Sequence, residues 1–436
     1  MGGYFGKIKS NMNGTGVKKL LRRIFHPAYK VYKRKKIKTN AQKARLHYEE
    51  VIDGIKMSGR TRIRFAAYVI FDSTYGMDGV YKIMIQDEAR WDPYVVIIPD
   101  VSRGKDHAEK TYKKSKDFFA NRYGADRILD GWNCETDEYF DYADKFDIIY
   151  YANPYDGMAH EYHKISYACT KKNVLPVYVS YGYDVGKYTT LNRLTGHELN
   201  YVWKLFADTT YTYDDYKRYQ IIKGENVVLA GYSKMDSFCQ GDQENKKRKK
   251  ILISPHHTIS TKVLPLSNFL EYSDLILRLP DIFPDVDFVF RPHPLLFTTL
   301  ENTGNWTNNQ VEEYLSELKR KGVEYSSGGD YLKVFSECDA IINDCGSFTV
   351  EWLYTGKPGC FVYNNRLRPK QLTTLMNKAI EEYDIARSEQ DILGFIRKVI
   401  SESDKEYKMK KWVKENIAIN YPDVSSFILK QIDILN

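Results

Sequence analysis

From Arg62 onward, short apolar runs alternate with longer stretches whose apolar residues recur at helical spacing. Ile63–Phe71, Tyr94–Pro99, Asp147–Tyr151 and Leu175–Tyr181 read as strands. Between them, Val80–Ala89 and Lys110–Tyr123 read as helices. Polar or Gly/Pro turns close the runs: Asp72-Ser73-Thr74, Asp100, Asn153-Pro154 and Gly182. Strands separated by helices in this way indicate parallel sheet built from βαβ units. A second series follows the short strand Val227–Leu229 and a polar run, Gly241–Lys250, read as a surface loop. Its strands are Ile251–Ser254, Asp287–Phe290, Ala340–Ile342 and Gly359–Tyr363, with helices over Asn268–Leu279, Val311–Lys321 and Tyr331–Cys338. The remainder to Asn436 reads as mainly helical. The expected fold is α/β, with two Rossmann-like domains facing a cleft. They span residues 61–225 and 226–400, after a basic helical leader (1–60) and before C-terminal helices (401–436).

A length of 436 residues agrees with two cores of about 150–200 residues each. The six cysteines form no CxxC pair and no metal spacing with histidine, so they read as reduced thiols of a cytosolic protein. No apolar run approaches the roughly 18–20 residues that span a bilayer, and no continuous apolar h-region marks a signal peptide.

The net charge of +8 is unevenly placed. Ten lysines and four arginines precede Glu49, the first acidic residue, so the remainder is net negative. Within this leader Val17, Leu20, Leu21, Ile24 and Phe25 recur at helical spacing among Lys18, Lys19, Arg22 and Arg23. Such a helix can lie in an anionic membrane interface or pack on the body as a solvated basic helix; the first is the expectation here, with the protein peripheral on the inner face of the cell membrane. The leader is expected to be separable, so that deleting residues 1–48 leaves the fold intact. Few aromatics interleave with its charges, which argues against a nucleic-acid partner.

The stretch Ala340–Pro358 carries the most chemistry. A strand runs through Asn343-Asp344-Cys345-Gly346-Ser347 into a helix start, whose free N–H groups suit a phosphate. Asp344, Gly346, Ser347 and Phe348 are the expected donor-binding residues. Glu351, one turn deeper, can accept from a ribose diol. Upstream, Pro255-His256-His257 and Arg291-Pro292-His293-Pro294 follow two other strands. A guanidinium and imidazoles on proline-stiffened loops suit a diphosphate leaving group, so His256, His257, Arg291 and His293 are the catalytic candidates. Ligands of open α/β sheets bind at this carboxyl edge of the strands. Tyr155, Tyr181, Tyr183 and Asp184 close strands of the first half and are the candidates for holding an acceptor. No spacing completes a set of metal ligands.

In this order, the motifs resemble the CDP-glycerol glycerophosphotransferase family, the teichoic-acid and capsule polymerases of GT-B fold. The resemblance rests on Pro255-His256-His257, Arg291-Pro292-His293-Pro294, Asp344 through Ser347 with Glu351, and Gly356-Lys357-Pro358. Gly231-Tyr232-Ser233-Lys234-Met235-Asp236 matches that family's Gly-x-x-Lys/Arg-x-Asp segment, whereas Tyr181-Gly182 stands where the family carries His-Gly. The likeness covers mainly residues 225–365. It implies transfer of glycerol-phosphate, or a related alditol-phosphate, from a CDP-linked donor to a glycan or lipid-linked acceptor of the cell envelope or capsule. The donor is then a substrate, and no separate cofactor is implied. His256 or His257 would take the acceptor proton. Three alternatives share parts of the pattern: a GT-B glycosyltransferase using a nucleotide-sugar, a sugar-nucleotide epimerase, and a non-catalytic membrane-associated glycan-binding protein.

Overall fold

The computed structural model describes residues 15–238, 248–259, 261–402 and 407–436, with side chains from residue 29 onward. The first domain is built on strands β1 (Ile63–Val69), β2 (Trp91–Ile97) and β3 (Ile128–Asp130). A small hairpin, β4 (Trp132–Asn133) with β5 (Glu138–Tyr139), interrupts the series. It resumes with β6 (Ile148–Tyr151), β7 (Leu175–Val179), β8 (Lys204–Ala207) and β9 (Val227–Leu229). These form a seven-stranded sheet of order β3-β2-β1-β6-β7-β8-β9, parallel throughout. The interior strands read as unbroken apolar runs because helices cover both faces.

The second domain carries β10 (Lys249–Ser254), β11 (Val286–Phe290), β12 (Glu324–Tyr325), β13 (Ala340–Asn343), β14 (Gly359–Val362) and β15 (Asp384–Ala386). Their order is β12-β11-β10-β13-β14-β15, again all parallel. Side chains one residue apart enter opposite cores. Ile251, Ile253, Phe288, Phe290 and Ile342 pack on one face, and Leu252, Val289, Ile341 and Phe361 on the other. β11, β10 and β13 are adjacent, so the three polar clusters of the second half emerge side by side at one sheet edge.

The strands and helices read from the hydrophobic pattern are present, with ends shifted by a few residues. The pattern did not reveal β3, β8, β12 or β15, which have only two to four residues each. Most of the expected loop Gly241–Lys250 lies outside the described residues, and Lys249 and Lys250 already belong to β10.

Two domain boundaries differ from the expectation. One helix spans Thr15–Met57. From Ile37 it buries Ala41, Ala44, Tyr48, Val51 and Ile55, one stripe at spacings of three and four, against the first domain. The Tyr48 hydroxyl donates to the Tyr201 carbonyl at 2.6 Å, and Asn40 donates to the Tyr201 hydroxyl at 3.2 Å. The second half of the basic segment is therefore part of the first domain. Residues 29–36, with Lys30, Lys33, Arg34, Lys35 and Lys36, are exposed. The expected apolar face from Val17 to Phe25 lies outside the described side chains. At the other end, the helix Val424–Ile432 returns to the first domain, burying Val424, Ile428 and Ile432 in its core. Arg90 clamps Asp433 through two nitrogens, the closer contact being 2.6 Å. No described helix is long and apolar enough to cross a membrane.

Candidate functional site

The parallel ladder between β10 and β11 continues beyond the strands and brings their loops together. Arg291 N–H donates to the Ile253 carbonyl, and His293 N–H to the Pro255 carbonyl, both at 2.9 Å. The Ser254 hydroxyl adds a bond to the Arg291 carbonyl at 2.8 Å. As a result His256, His257 and His293, remote in sequence, form one cluster. Their ring centroids lie 4.4, 4.9 and 4.1 Å apart.

Backbone donors fix the proton positions of two of these rings. Nδ1 of His293 accepts from Leu295 N–H at 3.1 Å. Nδ1 of His256 accepts from Thr258 N–H at 3.3 Å and meets the Thr258 hydroxyl at 2.9 Å. A nitrogen that accepts from an N–H carries no proton, so each neutral ring must hold its proton on Nε2. Burial pushes the His293 pKa down to about 4 and holds His256 well below the usual histidine range, with the neighbouring imidazoles adding to both effects. Both rings are therefore neutral Nε2–H donors at pH 7. His257 differs: burial lowers its pKa too, but its buried Nδ1 has no partner among the described residues.

Ligand atoms of the three histidines lie within 4.8 Å of one another, a constellation the sequence spacing did not anticipate. A metal would need the Nε2 lone pairs of His256 and His293, and each ring would then carry a proton on the Nδ1 that faces a backbone N–H. The backbone thus suits the cluster to an anion. A second cluster, Asp156, His197 and Glu198, caps a helix: Asp156 accepts from the N–H groups of Ile165 and Ser166 at 2.7 and 3.2 Å.

The loop after β13 divides between structural and open groups, and several of its residues take roles other than the expected ones. Asp344, 3 % exposed, does not face the cleft. It accepts from His256 N–H and Asn268 N–H, each at 2.6 Å, and burial pushes its pKa up to about 7. It ties the histidine loop to the sheet. Gly346 lies where a Cβ would stand 3.1 Å from Val185 of the first domain and 3.9 Å from Nε2 of His256. Phe348 stacks on Tyr331, with ring centroids 5.0 Å apart. The Ser347 hydroxyl accepts from Tyr183 N–H at 3.1 Å, so a first-domain loop occupies the helix start. That helix is short, Ser347–Glu351, continued by a 3-10 turn to Thr355.

Glu351 is 3 % exposed, and its Oε2 has no hydrogen-bond partner among the described residues. Burial raises its pKa, against a hydrogen bond from Tyr331 and the nearby positive charge of Lys234. An unpartnered buried carboxylate oxygen is costly to leave in place and suits a hydroxyl-bearing ligand.

Arg291 is not a free clamp. Its guanidinium donates to the Ser326 hydroxyl and the Gly328 carbonyl, each at 2.6 Å, which pins the loop leading to the helix Tyr331–Glu337. Of the expected acceptor residues, Tyr183 is buried in the interdomain core, its hydroxyl 2.9 Å from that of Tyr354. Asp184 is ion-paired with buried Arg193. These two form a seam between the domains, extended where Thr373 donates to the carbonyls of Asp184 and Val185 at 2.7 and 2.9 Å. Tyr155, 40 % exposed, and the half-buried Tyr181 remain open to a ligand. Sequence reasoning gave no role to Thr258, Tyr331 or Lys234. Only Lys234 carried a signal, through its Gly-x-x-Lys-x-Asp segment.

No protein-family model matches the chain, and no curated protein matches it. Among solved structures, the wall teichoic acid polymerase TagF superposes with a TM-score of 0.51 at 13 % identity, over 96 % of this chain and 98 % of that one. A second TagF structure gives 0.51 at 12 %, over 97 % and 99 %. The UDP-GlcNAc 2-epimerase of Methanocaldococcus jannaschii gives 0.51 at 11 %, over 85 % and 99 %. At such identities the likeness establishes architecture, and the chain has the two-domain GT-B fold that these enzymes share.

Proposed function

We propose that the protein is a transferase that moves glycerol-phosphate, or a related alditol-phosphate, from a CDP-linked donor to a cell-envelope or capsule glycan acceptor. The observation that carries this reading is the carboxyl edge of the second sheet. Two neutral Nε2–H rings, His256 and His293, lie there with centroids 4.9 Å apart, in the same domain as a buried carboxylate oxygen without a partner among the described residues. The first arrangement suits phosphate oxygens and the second a ribose hydroxyl. TagF, of the same fold, is a wall teichoic acid polymerase, and one of its structures follows a soak with CDPG.

In the reaction, an acceptor hydroxyl attacks the phosphorus of the transferred group. The bond from that phosphorus to the bridging oxygen breaks, and CMP leaves with the electron pair. His256 and His293 donate to the leaving phosphate as its charge grows, a role in which preorganised donors are most effective. His257, whose tautomer no backbone donor fixes, is the ring able to accept the acceptor proton. Tyr155 and Tyr181 line the acceptor side, and no cofactor beyond the donor is required. The exposed basic helix from Tyr29 to Lys36 holds the protein against anionic lipid on the cytosolic face, where an acceptor, glycan or lipid-linked, is presented.

The same edge would also accept a nucleotide-sugar, the ligand class of the epimerases that share the fold. A thermal-shift screen of CDP-, UDP- and GDP-linked donors, followed by turnover with the best binder, separates the two. Stabilisation by CDP-glycerol and release of CMP are expected. A chain that no nucleotide stabilises would defeat the reading.

A further inference from the structure

The Gly231–Asp236 segment joins the two domains, and most of it is structural. Gly231 has φ +98°, and a Cβ there would stand 2.1 Å from the Ile419 carbonyl oxygen, so only glycine fits. The Tyr232 hydroxyl donates to the Tyr181 carbonyl at 2.9 Å, and the Ser233 hydroxyl to the Gly76 carbonyl at 2.6 Å. Met235 is fully buried. Asp236 caps the helix Val424–Ile432, accepting from Val424 N–H at 3.1 Å and Ser425 N–H at 2.6 Å.

Lys234 is the exception. Its ammonium donates to the Tyr181 carbonyl at 3.0 Å and the Ser73 carbonyl at 3.4 Å. Both acceptors are uncharged and lie just beyond the carboxyl ends of β7 and β1, on the ligand edge of the first domain. Across the domain boundary the nearby charge is that of Glu351, yet Lys234 makes no ion pair among the described residues. An ammonium has three donors, and carbonyl oxygens take two. Burial disfavours its charged form and lowers its pKa, a penalty that an anionic ligand would offset. Arg291 is held by Ser326 and Gly328, whereas Lys234 bonds at the first-domain strand ends and feels the charge of Glu351.

We propose that Lys234 is an anion-binding residue of the cleft, and that its ligand is the phosphoryl group handed to the acceptor, the one beyond the phosphate attached to the nucleoside. This rests on the donor reading above: Glu351 takes the ribose, the histidines take the nucleoside-bound phosphate, and the next phosphate falls toward the first domain.

The test compares CMP and CDP by calorimetry, with wild type, Lys234→Arg and Lys234→Met at one ionic strength. CDP carries the second phosphate and CMP does not. Lys234→Met is expected to bind CDP about tenfold more weakly than wild type, the usual effect of losing one charged hydrogen bond, with CMP affinity almost unchanged. Lys234→Arg should restore most of the CDP preference. An equal loss for both nucleotides would mean that Lys234 only props the Ser73 and Tyr181 loops, and an unchanged CDP affinity would mean that it meets no phosphate. Either result overturns the proposal while leaving the donor site standing. Failure of wild type to bind either nucleotide would overturn the proposal and the donor reading together.

Discussion

Replacing Glu351 by Gln should make the empty protein more stable and the nucleotide complex weaker. The side chain is 3 % exposed, with one oxygen unpartnered. An unsatisfied buried polar group costs about 1–3 kcal/mol, more when charged, whereas an amide is neutral and can still accept from Tyr331. In domains of this size each kcal/mol moves Tm by about 2–4 °C, so a gain of a few degrees is expected. The sign with pH follows from the raised pKa. Between the unfolded and folded values the folded state binds more protons, so wild-type stability falls as pH rises through that window. The advantage of Glu351→Gln should therefore be largest above the raised folded-state pKa and fade below about pH 4, where the wild-type carboxyl is protonated in both states. Binding should move the other way. Loss of a charged hydrogen bond to ribose weakens CMP by about 1.5–3 kcal/mol, roughly 10- to 100-fold, with a smaller change for 2′-deoxy-CMP. Thermal melts across pH and calorimetry with both nucleotides measure this. A variant that is destabilised at pH 7 and binds CMP as wild type does would show that Glu351 belongs to the scaffold.

Deleting residues 1–48 removes buried Ile37 and Tyr48 with the Tyr48 hydrogen bond, about 4–7 kcal/mol of a stability of about 5–15, so that protein should melt far lower or aggregate. Deleting only 1–28 keeps the buried stripe from Ile37 to Ile55 and should melt well above the 1–48 truncation, and equal melts for the two would refute the docking of this helix. Replacing Lys30, Lys33, Arg34, Lys35 and Lys36 by Gln should reduce co-sedimentation with anionic vesicles, each charge contributing about 1 kcal/mol, with the difference shrinking at high salt. Salt-insensitive binding shared by wild type and variant would rule out the electrostatic contact. His293→Ala should lower turnover at least about tenfold with Tm retained, whereas Arg291→Ala should lower Tm as the loop around Ser326 and Gly328 loses its anchor. The reverse pattern would restore Arg291 as the phosphate clamp and make His293 structural.

The fold was legible because both sheets are parallel and covered on both faces, so their central strands appear as apolar runs too short for helices. β3, β12 and β15 stayed hidden because they are edge strands of two or three residues, too short to show a period: both residues of Glu324–Tyr325 are exposed, as are two of the three in Asp384–Ala386. The leader was misjudged for a different reason. Its charges lie on the same helix as a buried stripe from Ile37 to Ile55, and net charge counts residues without regard to face.

At the site, sequence located the edge but could not assign the roles, because anchoring and binding call on the same residue types. A carboxylate that follows a buried strand meets whichever N–H groups reach it first. Asp344 meets those of His256 and Asn268 and is satisfied, whereas Glu351, at the end of the short helix that follows, meets none at Oε2 among the described residues. The cations divide in the same way. Arg291 reaches the next loop with its fork and is fixed there, as guanidinium geometry favours, while Lys234, with three donors on a flexible stem, meets two carbonyls among the described residues. The histidines show the consequence for chemistry. His256 and His293 owe their Nε2–H form to the backbone amides of Thr258 and Leu295, two residues onward in each loop, so the turn that presents each ring also decides that it donates. Conformation rather than residue identity is what suits this edge to an anion on the proposed reading.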